Sequence, residues 1–88
     1  MISDQPPLLT VRISKAAEVV WEGKAQSVSS ENAQGPFDIL PMHANFITLL
    51  KDKPIVIITE KGERIEQRFL ASVMYVVNDE VKIYADIK

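Results

Sequence analysis

The chain alternates between apolar and polar residues at a period of two, and nowhere does it repeat at the period of a helix. Leu9, Val11 and Ile13 alternate with Thr10, Arg12 and Ser14, and Val19 and Trp21 alternate with Glu18 and Glu22. Val81, Ile83, Ala85 and Ile87 do the same against Glu80, Lys82, Tyr84 and Asp86. A period of two puts successive side chains on opposite faces of a strand, so each segment reads as a strand buried on one side. Turn chemistry punctuates these segments. Gly23 interrupts the second, the cluster Ser29-Ser30-Glu31-Asn32 reads as a loop, and Glu60-Lys61-Gly62-Glu63 reads as a hairpin turn. Asn78-Asp79 suits a two-residue hairpin, since both side chains tolerate positive φ. About eight short strands follow, with turn signals every eight to twelve residues or so. The expected fold is all-β, an antiparallel two-sheet β-sandwich or flattened barrel formed by a single domain over residues 1–88. Val11, Ile13, Trp21, Ile39, Leu49, Ile83 and Ala85 are expected in its core.

Composition removes several function classes. The chain has no cysteine, which excludes disulfides and thiolate metal sites. One histidine leaves little for a zinc site, and no cofactor is expected. A net charge of -2 with no basic stripe gives nothing for nucleic acid to bind. No stretch approaches the roughly 20 apolar residues that cross a bilayer. The start MISDQPPLL lacks the features of a signal or transit peptide, which leads to the expectation of a soluble intracellular domain.

The most distinctive run is GPFDILPMHANFITLL, Gly35 to Leu50. Gly35-Pro36 reads as a turn, because Pro fixes φ and Gly tolerates the angles around it. Phe37, Ile39 and Leu40 are expected to fill a buried loop, Pro41 to redirect the chain, and Phe46 to Leu50 to form a strand. His43, the single histidine, stands beside the proline corner. Histidine is the usual side chain for acid–base work, but no Ser or Cys nucleophile with an orienting carboxylate stands at a recognised spacing. His43 therefore reads as a packing or partner-contact residue, and no catalytic residue is expected.

This run resembles the signature G-x-F-G-I-L-P-G-H-A-P-L-L-T of the epsilon subunit of F-type ATP synthase (delta in mitochondria), in its N-terminal β-sandwich. Phe37, Ile39, Leu40, Pro41, His43, Ala44 and Thr48 stand in register with it, and Leu49 continues it. The opening LTVRIS-x5-VWEG is similar to the family's first hairpin, and the ending NDEVKIYAD to its last. The resemblance implies a non-catalytic central-stalk subunit that links gamma to the c ring and couples ion-driven rotation to ATP synthesis. It further implies a place at the cytoplasmic face of the bacterial plasma membrane, peripheral and without direct insertion. The candidate partner-binding residues are Gly35, Pro36, Phe37, Asp38, Met42, His43 and Thr48. The sequence departs from the family in four places. Pro36 stands where an acidic residue is usual, Asp38 and Met42 replace glycines, and Leu70-Ala71-Ser72 replaces S-G-G. Replacing a positive-φ glycine costs about 1 kcal/mol unless the backbone adjusts. The sequence also stops at Asp86-Ile87-Lys88, before the helical hairpin that carries regulation and ATP binding in many members, so neither role is expected of it.

Two readings compete with this one. Lys61 at a hairpin tip, in Thr59-Glu60-Lys61-Gly62, faintly resembles the turn of a lipoyl or biotinyl carrier domain, although the Gly-rich second half of that fold is missing. An unrelated β-sandwich adaptor is the other. Independently of any family, Ile55 to Ile58 and Val73 to Val77 are apolar on both faces. In a two-layer sandwich only one face of each sheet is buried, so an outer apolar face is expected, and such a face usually marks an interface. Trp21 reads as core, Tyr75 and Tyr84 as rim residues, and the charges around Glu63 as a solvated hairpin.

Overall fold

Leu9, Val11 and Ile13 are all sealed from solvent, and Arg12 between them is exposed, as the alternation requires. The computed structural model describes residues 7–86, so the readings of the N-terminal start and of Ile87 lie outside the described residues. Six strands make up the described chain: β1 (Leu9–Lys15), β2 (Glu18–Asn32), β3 (Gly35–Ile39), β4 (Phe46–Thr59), β5 (Arg64–Val77) and β6 (Glu80–Ala85). No helix occurs among the described residues.

The strands run in the order β1-β6-β5-β4-β2-β3, and β1 also pairs with β2, which closes a barrel-like sandwich. Closure explains how so small a chain buries Leu9, Val28, Ile39, Leu50, Ile57, Met74, Val81 and Ile83 almost completely. At about 25 cal/mol per Å² of apolar area, such side chains are each worth roughly 1.5–3 kcal/mol. Every strand pair is antiparallel except β1–β6, which is parallel, with Val11 beside Val81 and Ile13 beside Ile83. The expected all-antiparallel arrangement is corrected in that one pair.

Six strands replace the expected eight because three expected breaks, at Gly23, within β4 and within β5, do not occur, while a strand, β3, forms where Phe37 and Ile39 are expected to fill a loop. The polar run Ser29–Asn32 is the end of β2, where Ser29 to Asn32 pair with Asp38 to Gly35. Gly23 lies within β2, opposite Val11. Lys51 to Pro54 lies within β4, and the matching stretch of β5 is continuous too. Both long strands nevertheless bend there. Leu50 and Ile55 are both buried although five positions apart, so the inward face switches between them, and it switches between Phe69 and Ser72 in β5 as well. The pairing continues through the corner, Lys51 with Ala71 and Lys53 with Phe69. Asp52 takes a left-handed backbone (φ 51°) at the bend. Arg68 donates to its Oδ1 at 3.1 Å and to its carbonyl at 3.0 Å. The hairpin thus turns from one layer of the sandwich into the other without losing register.

Core placement corrects three further expectations. Leu49 is not buried but 45% exposed on the outer face, and Leu50 takes the core position. Leu40 is exposed rather than packed into a loop. Gly35-Pro36 is not the turn. The turn is Ala33-Gln34, and Gly35 (φ 121°) opens β3. Trp21 is half-buried against the core cluster, while Val11, Ile13, Ile39, Ile83 and Ala85 are buried as expected.

Candidate partner-binding surfaces

Leu40, Pro41, Met42 and His43 form a β-turn in which the His43 N–H donates to the Leu40 carbonyl at 3.1 Å. Proline at the second position and a positive φ at the third, here Met42 at 68°, are the marks of a type II turn. That third position favours glycine, and Met42 occupies it with its side chain 84% exposed. The strain is held in place from a neighbouring element. Asp79, in the β5–β6 turn, accepts the Met42 N–H at 2.6 Å, and Asn45 accepts the Asn78 N–H at 3.4 Å. Both Asn78 and Asp79 have positive φ, as their reading as a tight hairpin required. Sequence reasoning missed Asp79 as a clamp, because a residue that makes a turn carries no mark of a second role.

His43 is half-buried, its ring edge-on to Phe46 at 5.9 Å, and Phe46 is edge-on to Phe37 at 5.3 Å. The His43 Nδ1–H donates to the Ala44 carbonyl at 2.7 Å, which fixes the ring over the loop. Phe37, His43 and Phe46 therefore form one aromatic stack that ties β3 and the loop to β4.

The remaining candidate residues do not join them. Gly35 and Pro36 stand at the far end of β3, roughly 10–13 Å from Ile39 at the usual strand rise. Asp38 lies in the extended strand and accepts the Ser29 hydroxyl at 2.6 Å. It is not among the residues of positive φ, so its replacement of glycine carries no backbone strain there. Thr48 is half-buried and accepts the Asn32 side-chain N–H at 2.9 Å. The seven residues do not form one cluster: Phe37 and Asp38 lie within β3, and Thr48 lies in β4. Met42 and His43 stand in the turn that follows β3, and Gly35 and Pro36 stand at the start of that strand.

A larger surface lies on the outer face of β4, β5 and β6. Ile47 stands opposite Tyr75, and Tyr75 opposite Lys82. Leu49 stands opposite Val73, and Val73 opposite Tyr84. Ile47, Leu49, Tyr75, Val77 and Tyr84 are all exposed. The two tyrosine rings meet edge-on at 5.6 Å, above a shallow cleft of about 490 Å³ bordered by Glu80 and Lys82. Side chains on a strand alternate, so the face that Met74, Val76, Val81 and Ile83 leave behind has to be this one. Lys61, by contrast, sits at the exposed tip of the β4–β5 hairpin and is not part of this face.

Comparisons with known proteins agree with this architecture. Residues 8–87 match the family model for the ATP synthase, Delta/Epsilon chain, beta-sandwich domain. The chain is 32% identical to the ATP synthase epsilon chain of Brevibacillus brevis over 78 residues, 89% of this chain and 59% of that one. It is 34% identical to that of Clostridium novyi over 77 residues, 86% of this chain and 58% of that one. It is 30% identical to that of Micrococcus luteus over 77 residues, 88% of this chain and 85% of that one. The chain thus spans about three fifths of the length of the first two relatives. Among solved structures, it matches a chain of the Euglena gracilis mitochondrial ATP synthase (OSCP/F1/c-ring) with a TM-score of 0.83 at 13% identity. That match covers 94% of this chain and 53% of the other. A chain of the central stalk/c-ring of the Tetrahymena thermophila mitochondrial ATP synthase matches with a TM-score of 0.73 at 11% identity, over 88% of this chain and 62% of that one. At such identities these two likenesses speak for the fold. The family match and the relatives speak for descent, and they set aside the carrier and unrelated-adaptor readings. By the family match over residues 8–87 and these relatives, the chain belongs to the ATP synthase delta/epsilon family and represents that family's β-sandwich domain.

Proposed function

We propose that the chain is a non-catalytic central-stalk subunit, binding gamma through the outer face of β4–β6 and meeting the c ring with one end of the sandwich. The observation that carries the reading is the apolar field of Ile47, Leu49, Tyr75, Val77 and Tyr84, all exposed, around half-buried Val73. At about 25 cal/mol per Å², leaving it in water forgoes several kcal/mol of burial, which a permanent partner recovers. Docked in this way, the closed barrel stiffens the joint through which ion-driven rotation reaches the catalytic head. It needs no cofactor and touches the membrane only through the complex, at the cytoplasmic face of a bacterial plasma membrane. The turn carrying Met42 and His43 is the end assigned to the c ring, because its clamps to Asp79 and Asn78 hold a protruding side chain in one geometry.

Co-expression with gamma from the same source tests the reading. A stable complex on a sizing column is expected. Two proteins that elute separately at micromolar concentration would contradict it.

A further inference from the structure

The outer face of β4 ends at an unpaired strand edge. From Phe46 to Lys53, β4 pairs with β5 on one side, and its pairing with β2 begins only at Val56. Among the described residues no backbone partner meets the other side of Phe46 to Leu50. What faces it is the end of β2 and its turn, reached by one side-chain bond, from Asn32 to the Thr48 hydroxyl. The space between is a trough. One cavity of about 280 Å³ runs past Phe46 to Leu49 with Asn32 to Gln34 as its other wall. A second, of about 470 Å³, continues it past Lys51 and Lys53.

Proteins guard free edges with proline, charge or irregular backbone. β3 has Pro36 and Asp38, and the far part of β4 has Lys51, left-handed Asp52, Lys53 and Pro54. Phe46 to Leu50 carries none of these, and its outward side chains Ile47 and Leu49 are 65% and 45% exposed. A row of unpaired N–H and C=O groups is complementary to one kind of ligand, another extended backbone. Charge narrows the choice. The acid lining the trough, Glu31, lies 3.7 Å from Lys53, which leaves Lys51 with no carboxylate among the described ion pairs. A second copy paired antiparallel about Thr48 would set Lys51 against Asn45 and Lys53 against His43, with no charge gained.

We infer that Phe46 to Leu50 is a β-augmentation site, which takes an extended segment of gamma bearing an acidic residue opposite Lys51. The inference rests on the reading of gamma as partner. It adds to the face contact an extended strand paired with the edge of β4 and continuous with the apolar face.

Amide hydrogen exchange of the free chain and of its complex with gamma tests it, alongside titrations of Lys51→Glu with gamma. In the free chain, alternate amides between Phe46 and Leu50 should exchange fast, since only one side of the strand is bonded. In the complex those amides should slow by about tenfold or more. Lys51→Glu should weaken gamma binding about fivefold or more at low salt and leave the unfolding temperature unchanged. Gamma binding with the edge amides unchanged would overturn the inference while keeping gamma as partner. Protection of the edge by self-association without gamma would also overturn it, and absence of any gamma complex would remove both.

Discussion

Trp21 folds its indole over Gly23, where an added Cβ would stand 3.0 Å from ring carbons Cη2 and Cζ2. The glycine is needed for close approach and not for an unusual backbone angle. Gly23→Ala should displace the half-buried ring and cost about 1 kcal/mol or more, read as a lower unfolding temperature with a red shift in tryptophan emission. A second pair of substitutions separates packing from surface in the distinctive run. Phe37→Ala removes one ring of the Phe37–Phe46–His43 stack and should destabilise the domain by roughly 3 kcal/mol in denaturant unfolding. His43→Ala removes a half-buried ring from its end and should cost about 1 kcal/mol or less. The importance of this run was legible in the sequence, but the division of labour within it was not. Whether Leu49 or Leu50 faces inward depends on strand phase, and two adjacent leucines give no clue to phase. The strain at Met42 was likewise expressed only as a missing glycine, with its remedy in Asp79, 37 residues away.

Alternation placed β1 and β6 almost to the residue, since each is buried on one face only. The long strands were harder. In β4 the tetrapeptide Lys51-Asp52-Lys53-Pro54 has the chemistry of a break, and it does serve as a corner, but β5 bends beside it and keeps the ladder intact. Local sequence cannot reveal that a partner strand will bridge a kink. Asp52 is the residue on which the corner turns. A β-branched side chain tolerates φ near +50° poorly, so Asp52→Val should destabilise by about 1–2 kcal/mol. Asp52→Gly should be tolerated within about 1 kcal/mol, because glycine accepts the angle while losing the bond from Arg68. Equal losses in the two variants, measured by urea unfolding, would assign the effect to the carboxylate and not to the backbone.

At the scale of the molecule, the described residues form a closed ring of strands with an apolar face of β4–β6 turned outward. Closure depends on the parallel contact of β1 with β6, a pairing between chain segments far apart that no hairpin signal announces. The outward face, in contrast, could be anticipated from Val73 to Val77, because a strand apolar on both sides cannot hide both in a two-layer fold. That face is the centre of the functional account. Its most direct test is calorimetric titration of gamma with the wild-type chain, with Leu49→Ala/Tyr75→Ala, and with Met42→Ala/Asp38→Ala. Because a few central apolar residues usually carry most of an interface's energy, the face variant should lose about 2 kcal/mol or more of binding, roughly a thirtyfold weaker Kd. The Met42→Ala/Asp38→Ala variant should bind gamma as the wild type does. Unchanged affinity in the face variant, with its fold intact, would contradict the account.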